Sequence, residues 1–326
     1  MSDNHPTISV CIPTWNRSKY LKECLDSIVC QFSDESVYNK VEIVISDNAS
    51  NDDTEVVVNK YQAKFNNIYY SKNDINIGFS RNVEKVIDCA HGKYVWLLGD
   101  DDIVVVDSLK VLLNKTNNKE YAAILLNFYH GECYNPRIKI FRNGLYFRDK
   151  EYLDSKSFFC GKDFTNYNNI NVLSVIVLNR SVYQQNKIAI TKYLDTFYYQ
   201  SYAFLITAIC GTVLRTAKVM VGYRRQFTRK VQDEEEAFNR DLPSLEIAIS
   251  QANDFKKYAV EIGYYSDNYL PSKNYIRSLV SVIIHLLIKY HLIKFARFFY
   301  RIPRLLMYQA QGIKTAVFNK YKDINE

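Results

Sequence analysis

Short apolar runs alternate with segments of helical period along the first hundred residues. Ile8 to Ile12, Val41 to Ile45, Ile68 to Ser71 and Tyr94 to Leu98 are the apolar runs. Each has strand length and ends in a cluster of turn formers. Between them Leu21, Leu25, Ile28 and Val29 recur at helical spacing, with Ser18 as the cap. Val56 to Phe65 and Val83 to Ala90 fit two further helices, and Asn73 to Asn82 is a polar loop containing Gly78. Strands alternating with helices predict βαβ units and an α/β fold with a mainly parallel sheet. Further on, Ala122 to Tyr129 and Val172 to Leu178 predict strands, and Tyr202 to Leu214 is an apolar helix or strand.

In sheets of this kind ligands bind at the carboxyl ends of the strands. Those ends carry Thr14-Trp15-Asn16, Asp47-Asn48 and Asp100-Asp101-Asp102. Trp15 is suited to stack on a base or sugar, and Asp47 or Asn48 to accept from a base amide or ribose hydroxyl. The bland alternatives are a core-edge tryptophan and a turn-forming aspartate. Three adjacent carboxylates repel one another and cost solvation when buried. Placed after a core strand, they call for a cation, and hard oxygen ligands suit Mg²⁺ or Mn²⁺. The alternative is an acidic turn ahead of a helix capped at Asp107 or Ser108.

Composition changes the picture in two places. At 326 residues the chain holds one large or two ordinary domains, and 48% apolar content is ample for a core. The seven cysteines are odd in number and form no CxxC pair, which reads as reduced thiols of a cytosolic protein. Met1 to Thr7 is polar and leads into a strand, so no signal peptide is expected. Neither GxGxxG nor GxxxxGK[ST] occurs, which argues against a dinucleotide or P-loop site. The net charge of +7 is uneven. From Lys273 to Lys322 there are ten basic residues and no acidic one, interleaved with large apolar residues. Lys294, Arg297, Arg301 and Arg304 share a helix face, although Pro303 interrupts it. His285, Lys289 and His291 keep the apolar run below the ~20 residues a membrane span needs. This is the composition of an in-plane anchor on anionic lipid. A basic hairpin packed on the rest of the fold and an oligomer interface are the alternatives. Nucleic acid is not expected, because no reading motif accompanies the charge.

From Thr7 to about Leu113 the chain resembles the nucleotide-sugar-binding half of family 2 glycosyltransferases with the GT-A fold. The matching pieces are Val10-Cys11-Ile12-Pro13-Thr14-Trp15-Asn16-Arg17, Glu42 to Ser50 with Asp53-Thr54, and Asn76-Ile77-Gly78 with Arg81-Asn82. Ala90 to Val95, leading into the acidic triplet, completes the set. The Leu-Leu-Gly-Asp-Asp-Asp form is most similar to abequosyltransferase-type members that build bacterial O-antigen and related surface glycans. The resemblance implies a GT-A domain, Rossmann-like with flanking helices, to which composition adds a basic helical segment. Its donor half would be residues 1–115, its acceptor half 116–235, and the helical, membrane-associated region 236–326. It implies a sugar transferred from a nucleoside-diphosphate donor to a glycan, carried on a polyprenyl lipid, at the inner face of the cell membrane.

By the same resemblance, Pro13, Thr14, Trp15, Asn16, Asp47 and Asn48 would line the base and ribose, and Arg81 would sit near the diphosphate. Asp100 would lie nearer the ribose, and Asp101 and Asp102 on Mn²⁺ or Mg²⁺. There are departures. Trp15 stands where members commonly have Tyr, and Asp47-Asn48 where they often have Asp-Asp. Inverting members carry a general base, often in a Glu-Asp pair, at the start of an acceptor-half helix. The comparable stretch, Tyr198 to Phe204, has no acid. Asp195 is the candidate base, with Asp163 the next carboxylate. A nucleotidyltransferase and a catalytically inactive sugar-nucleotide-binding scaffold are the rival readings.

Overall fold

The computed structural model describes residues 5–131, 148–153, 157–158, 170, 172–196 and 199–224. The basic segment 273–322, the rest of 236–326, Asp163 and Tyr198 lie outside the described residues.

The first half follows the alternation of the sequence. It runs β1 (Ile8–Thr14), α1 (Ser18–Val29), α2 (Glu35–Tyr38), β2 (Val41–Asp47), α3 (Thr54–Gln62), β3 (Ile68–Lys72), α4 (Phe79–Asp88) and β4 (Tyr94–Leu97). Then come β5 (Ile103–Val104), α5 (Ser108–Asn118), β6 (Ala123–Gly131), β7 (Lys150–Tyr152), β8 (Ile176–Asn179), α6 (Arg180–Gln185) and α7 (Lys187–Thr191). The last described elements are α8 (Tyr199–Ala208) and β9 (Val213–Arg224).

Among the described residues one sheet of nine strands joins them in the order β3-β2-β1-β4-β8-β6-β9-β5, with β7 paired to β9 beside that path. The pairs β3–β2, β2–β1 and β1–β4 are parallel, as the βαβ pattern predicts. Beyond β4 the sheet turns mixed. β4–β8, β8–β6, β9–β5 and β7–β9 are antiparallel, and β6–β9 is parallel. The mainly parallel sheet is therefore the property of the first four strands, and the second half departs from it. β1, β2 and β4 are buried along their whole length, which is why they read as unbroken apolar runs.

Three local expectations shift. The run from Tyr202 to Leu214 divides at Gly211-Thr212 into α8 and β9. Helix α8 is buried on every side, so its sequence carries no polar face to betray its period. Leu173–Val175 coils into a 3₁₀ turn, and the predicted strand begins at Ile176. Ser18, expected as the cap of α1, is its first helical residue. Its backbone N–H is met instead by Asp52 Oδ2 from the next loop, at 2.9 Å.

Candidate functional site

Because β1 lies between β2 and β4, the carboxyl ends of all three come together, with Thr14 level with Asp47. The turns that follow β1 and β2 are laced to one another. Asn48 N–H donates to Thr14 O (2.9 Å), Asn16 N–H to Ser50 Oγ (2.8 Å) and Asn51 N–H to Asn16 Oδ1 (2.8 Å). This lacing holds two side-chain-bearing residues in the left-handed region, Asn16 at φ 53° and Ala49 at φ 63°. For an alanine that conformation costs roughly 1–2 kcal/mol, a strain that surrounding contacts must over-determine.

Asp47 and Asn48 sit inside this lacing. Asp47 is fully buried, its Oδ1 accepting from Ser50 N–H (2.9 Å) and its Oδ2 from the Tyr70 hydroxyl (2.7 Å). Burial and the bond to Asp47 push the Tyr70 phenol well up. The Asn48 amide accepts from Asn73 Nδ2 (3.0 Å) and Ile77 N–H (2.9 Å) and donates to Asn76 Oδ1 (2.7 Å). In this arrangement both side chains fasten the turns to one another. At 0% exposure the Asp47 carboxylate satisfies both oxygens internally. Pro13 and Thr14 are buried at the end of β1, whereas Trp15 is 52% exposed and stands clear of the core.

The acidic triplet follows β4 directly. Asp100 is buried, with Oδ2 accepting from Thr14 Oγ1 (2.8 Å) and Oδ1 facing Arg17 Nη1 (3.1 Å). The same Nη1 lies 3.0 Å from Asp101 Oδ2. Burial lowers the Arg17 pKa, but Asp100 and Asp101 outweigh it and hold the guanidinium above its ordinary value. Burial raises the Asp100 carboxyl to about 6, against the pull of Arg17 and Thr14. Asp102 is raised to about 7, by burial first and by the Asp101 charge second. Cys24 lies beneath the triplet with Sγ 3.8 Å from Gly99 O, and burial, then the three carboxylates, push its thiol well up.

Asp102, the other expected metal ligand, has both carboxylate oxygens engaged within the chain. Its Oδ1 accepts from Arg224 N–H at the end of β9 (2.8 Å), and its Oδ2 accepts from the Ser174 hydroxyl. Ser174 Oγ in turn accepts from Gly99 N–H (2.8 Å). The third aspartate thus faces inward and ties the acidic turn to β8 and β9, because a carboxylate this buried requires fixed donors. The Arg224 side chain continues the tie, pairing with Glu23 (2.5 Å) and lying over the Tyr20 ring. Among the described residues no group of three or more His, Cys, Asp or Glu side chains is arranged to hold a metal ion.

Arg81, near the start of α4, pairs with Asp195 at 2.9 Å, and Ser80 Oγ donates to Thr196 O (2.8 Å). The expected phosphate contact and the candidate base are therefore partners of each other. Asp195 is almost fully exposed, its side chain 87% accessible. The neighbouring helix α8 has no acid, and its buried faces offer none to an acceptor. The residues that sequence reasoning passed over are Arg17, Ser174 and Arg224. Arg17 has a local signal, since it follows the turn after β1. Ser174 and Arg224 have none, lying 72 and 122 positions from Asp102.

Residues 9–170 match the family model described as glycosyl transferase family 2. Abequosyltransferase RfbV of Salmonella typhimurium is 43% identical over 106 residues, 32% of this chain and 31% of that protein. GalNAc(5)-diNAcBac-PP-undecaprenol beta-1,3-glucosyltransferase of Campylobacter jejuni is 35% identical over 123 residues, 37% of this chain and 38% of that protein. The chain thus matches about a third of the length of these relatives. In fold it is similar to S. aureus TarS 1-349 in complex with UDP-GlcNAc, at a TM-score of 0.54 and 17% identity over 68% of this chain and 60% of that one. Through residues 9–170, whose strands end on the laced turns and the acidic triplet, this chain belongs to glycosyl transferase family 2, and its fold is GT-A.

Proposed function

We propose that the chain transfers a sugar from a nucleoside-diphosphate-sugar donor to a glycan acceptor in bacterial surface-polysaccharide synthesis. The observation that carries this reading is the acidic triplet, packed against the β1 turn and sharing Arg17 between two of its members. Membership in family 2 supports it, as do relatives named for sugar transfer. In this reading the triplet is the family's DXD element.

Trp15, half-exposed, offers an aromatic face to the base. The laced turns hold the backbone that carries it. Asp101, the more exposed of the pair at 19%, and Asp100 meet at the Arg17 guanidinium. Their oxygens suit Mn²⁺ or Mg²⁺, and Mg²⁺ is typically held by one or two carboxylates together with substrate phosphates. That matches a site in which Asp101 is reachable and no full protein cage exists among the described residues. Such an ion, when bound, would neutralise charge on the departing diphosphate. Arg81 would turn to the diphosphate, releasing Asp195, whose carboxylate would then be free to take the proton of the acceptor hydroxyl.

The acceptor is proposed to be lipid-linked, in line with a relative whose name specifies a PP-undecaprenol carrier. The basic segment 273–322 would hold the protein on the anionic inner face of the membrane. No described helix is long and apolar enough to cross a membrane. The lack of an acid in α8 favours a second reading, a sugar-nucleotide-binding protein without turnover.

The test is a panel of nucleoside diphosphates and their sugars, with and without Mn²⁺, read by melting temperature and by nucleoside diphosphate release. A ligand that binds the folded state raises its melting point. Asp101→Ala should remove the cation-dependent shift and the release while the protein remains folded. Full release from that variant would defeat the assignment, and binding without release in the wild type would favour the second reading. Co-sedimentation with anionic vesicles tests the tail: changing Lys294, Arg297, Arg301 and Arg304 together to Glu should release the protein.

A further inference from the structure

We propose that Arg17 is a built-in counter-ion of the acidic triplet and that it competes with the divalent cation for Asp101. The inference rests on the donor-site reading above. Its basis is one nitrogen in contact with two carboxylates. Arg17 Nη1 stands 3.1 Å from Asp100 Oδ1 and 3.0 Å from Asp101 Oδ2. Each carboxylate of the triplet meets this guanidinium or fixed donors. Asp100 receives the Thr14 hydroxyl, and Asp102 receives Ser174 and Arg224 N–H. The Arg224 guanidinium is directed to Glu23 and Tyr20. Arg17 therefore supplies positive charge at the outer oxygens, the ones within reach of a ligand.

A cation on the Asp101 oxygen and a guanidinium 3.0 Å from it cannot both keep full contact, since like charges at such a distance repel strongly. Arg17 is able to give way. Its side chain is 42% exposed, whereas Asp101 is 19% exposed and Asp100 7%. It occupies the N-cap position of α1 without making a side-chain capping bond, so leaving costs the helix no cap. The donor-free site is thus partly neutralised by the chain itself. The cation displaces Arg17 outward, toward where the diphosphate would lie. Part of the cation's affinity is spent on this displacement, and the phosphates restore it.

The experiment is a titration of the full chain with Mn²⁺ alone, read by the electron paramagnetic resonance signal of free Mn²⁺. Wild type, Arg17→Gln, Arg17→Lys and Asp101→Ala are compared at fixed pH and salt. Arg17→Gln should bind Mn²⁺ about tenfold more tightly than wild type, a conservative figure for removing one nearby charge at a partly exposed site. Arg17→Lys keeps the charge without the planar fork and should stay close to wild type. Asp101→Ala should lose the binding. A merely structural role for Arg17 would loosen the site, so Arg17→Gln would weaken Mn²⁺ binding. Equal or weaker binding by Arg17→Gln, with Asp101→Ala still abolishing it, overturns the competition and leaves the donor-site reading standing. Binding indifferent to Asp101→Ala overturns both. Should Arg17→Gln fail to fold, Arg17→Met carries the same comparison.

Discussion

The two ends of the central sheet treat buried carboxylates in opposite ways. At the amino end stands Glu42, on β2, alone among its neighbours. Its Oε1 accepts from the Ser9 hydroxyl (2.5 Å), His91 N–H (2.6 Å) and Gly92 N–H (3.2 Å), and the His91 ring approaches its Oε2 (3.2 Å). Gly92 is required there, because a Cβ would lie 2.7 Å from Ser9 N. At the carboxyl end three carboxylates crowd one turn, and two of them, Asp100 and Asp102, are raised to about 6 and about 7 by burial. One carboxylate with a surplus of donors is a fastening. Three crowded on one turn, two of them facing the same guanidinium, suit the proposed place for a charged ligand. Burial of an acid is therefore no sign of function by itself; the local balance of donors and charge is.

The contrast is broken most openly at Glu42. Glu42→Ala deprives the Ser9 hydroxyl and His91 N–H of their acceptor, while Gly92 N–H keeps Ser9 Oγ at 2.7 Å, a loss of about 2–6 kcal/mol at 1–3 kcal/mol for each unsatisfied group. Urea denaturation should find it, with nucleotide affinity unchanged in the folded fraction. A loss under about 1 kcal/mol would mean that water replaces the carboxylate.

The pH dependence of stability sharpens the other side. Asp100 and Asp102 have folded-state values of about 6 and about 7, above the ordinary 3.8. The folded state then binds more protons than the unfolded one between about pH 4 and pH 7, so stability falls as pH rises through that window. The groups facing these carboxylates are Asp101, Arg17, Thr14, Ser174, Cys24 and the Arg224 N–H. A decline of about 2–3 kcal/mol between pH 5 and pH 8 is expected without ligand, given ~1.4 kcal/mol for each pH unit by which a titration is displaced, and allowing for relaxation. Asp102→Asn should flatten it. A wild-type profile that rises over this range would contradict the crowding.

Trp15→Ala separates binding from folding. It should weaken nucleoside diphosphate binding by about 1–3 kcal/mol, the range for base–aromatic stacking. At 52% exposure its effect on stability should be small. Titration calorimetry beside thermal melting reads both, and a stability loss without an affinity loss would place Trp15 in the core. The smallest effect belongs to an ordinary surface pair. Lys22 and Asp26 lie 2.7 Å apart on α1, both well exposed, and Lys22→Ala should cost under about 0.5 kcal/mol. A larger loss would mean that exposed charge has more weight than the contrast allows.

The sequence by itself determined the donor half of the fold. Its strands and helices are set by local apolar period and turn chemistry, and β1, β2 and β4 fall where Ile8–Ile12, Val41–Ile45 and Tyr94–Leu98 predict them. It also placed Thr14, Asp47 and the triplet at neighbouring strand ends, because parallel βαβ units bring carboxyl ends to one side. The antiparallel second half was not legible. Helix α8 is buried all round and loses the period that would mark it. The direction of each site carboxylate was beyond the sequence as well. Asp47 turns to Ser50 and Tyr70, Asp102 to Ser174 and Arg224, and Asp100 and Asp101 to Arg17. Only the tertiary structure decided these, because a carboxylate turns toward whichever donors surround it, and most of those donors come from strands and loops far away along the chain.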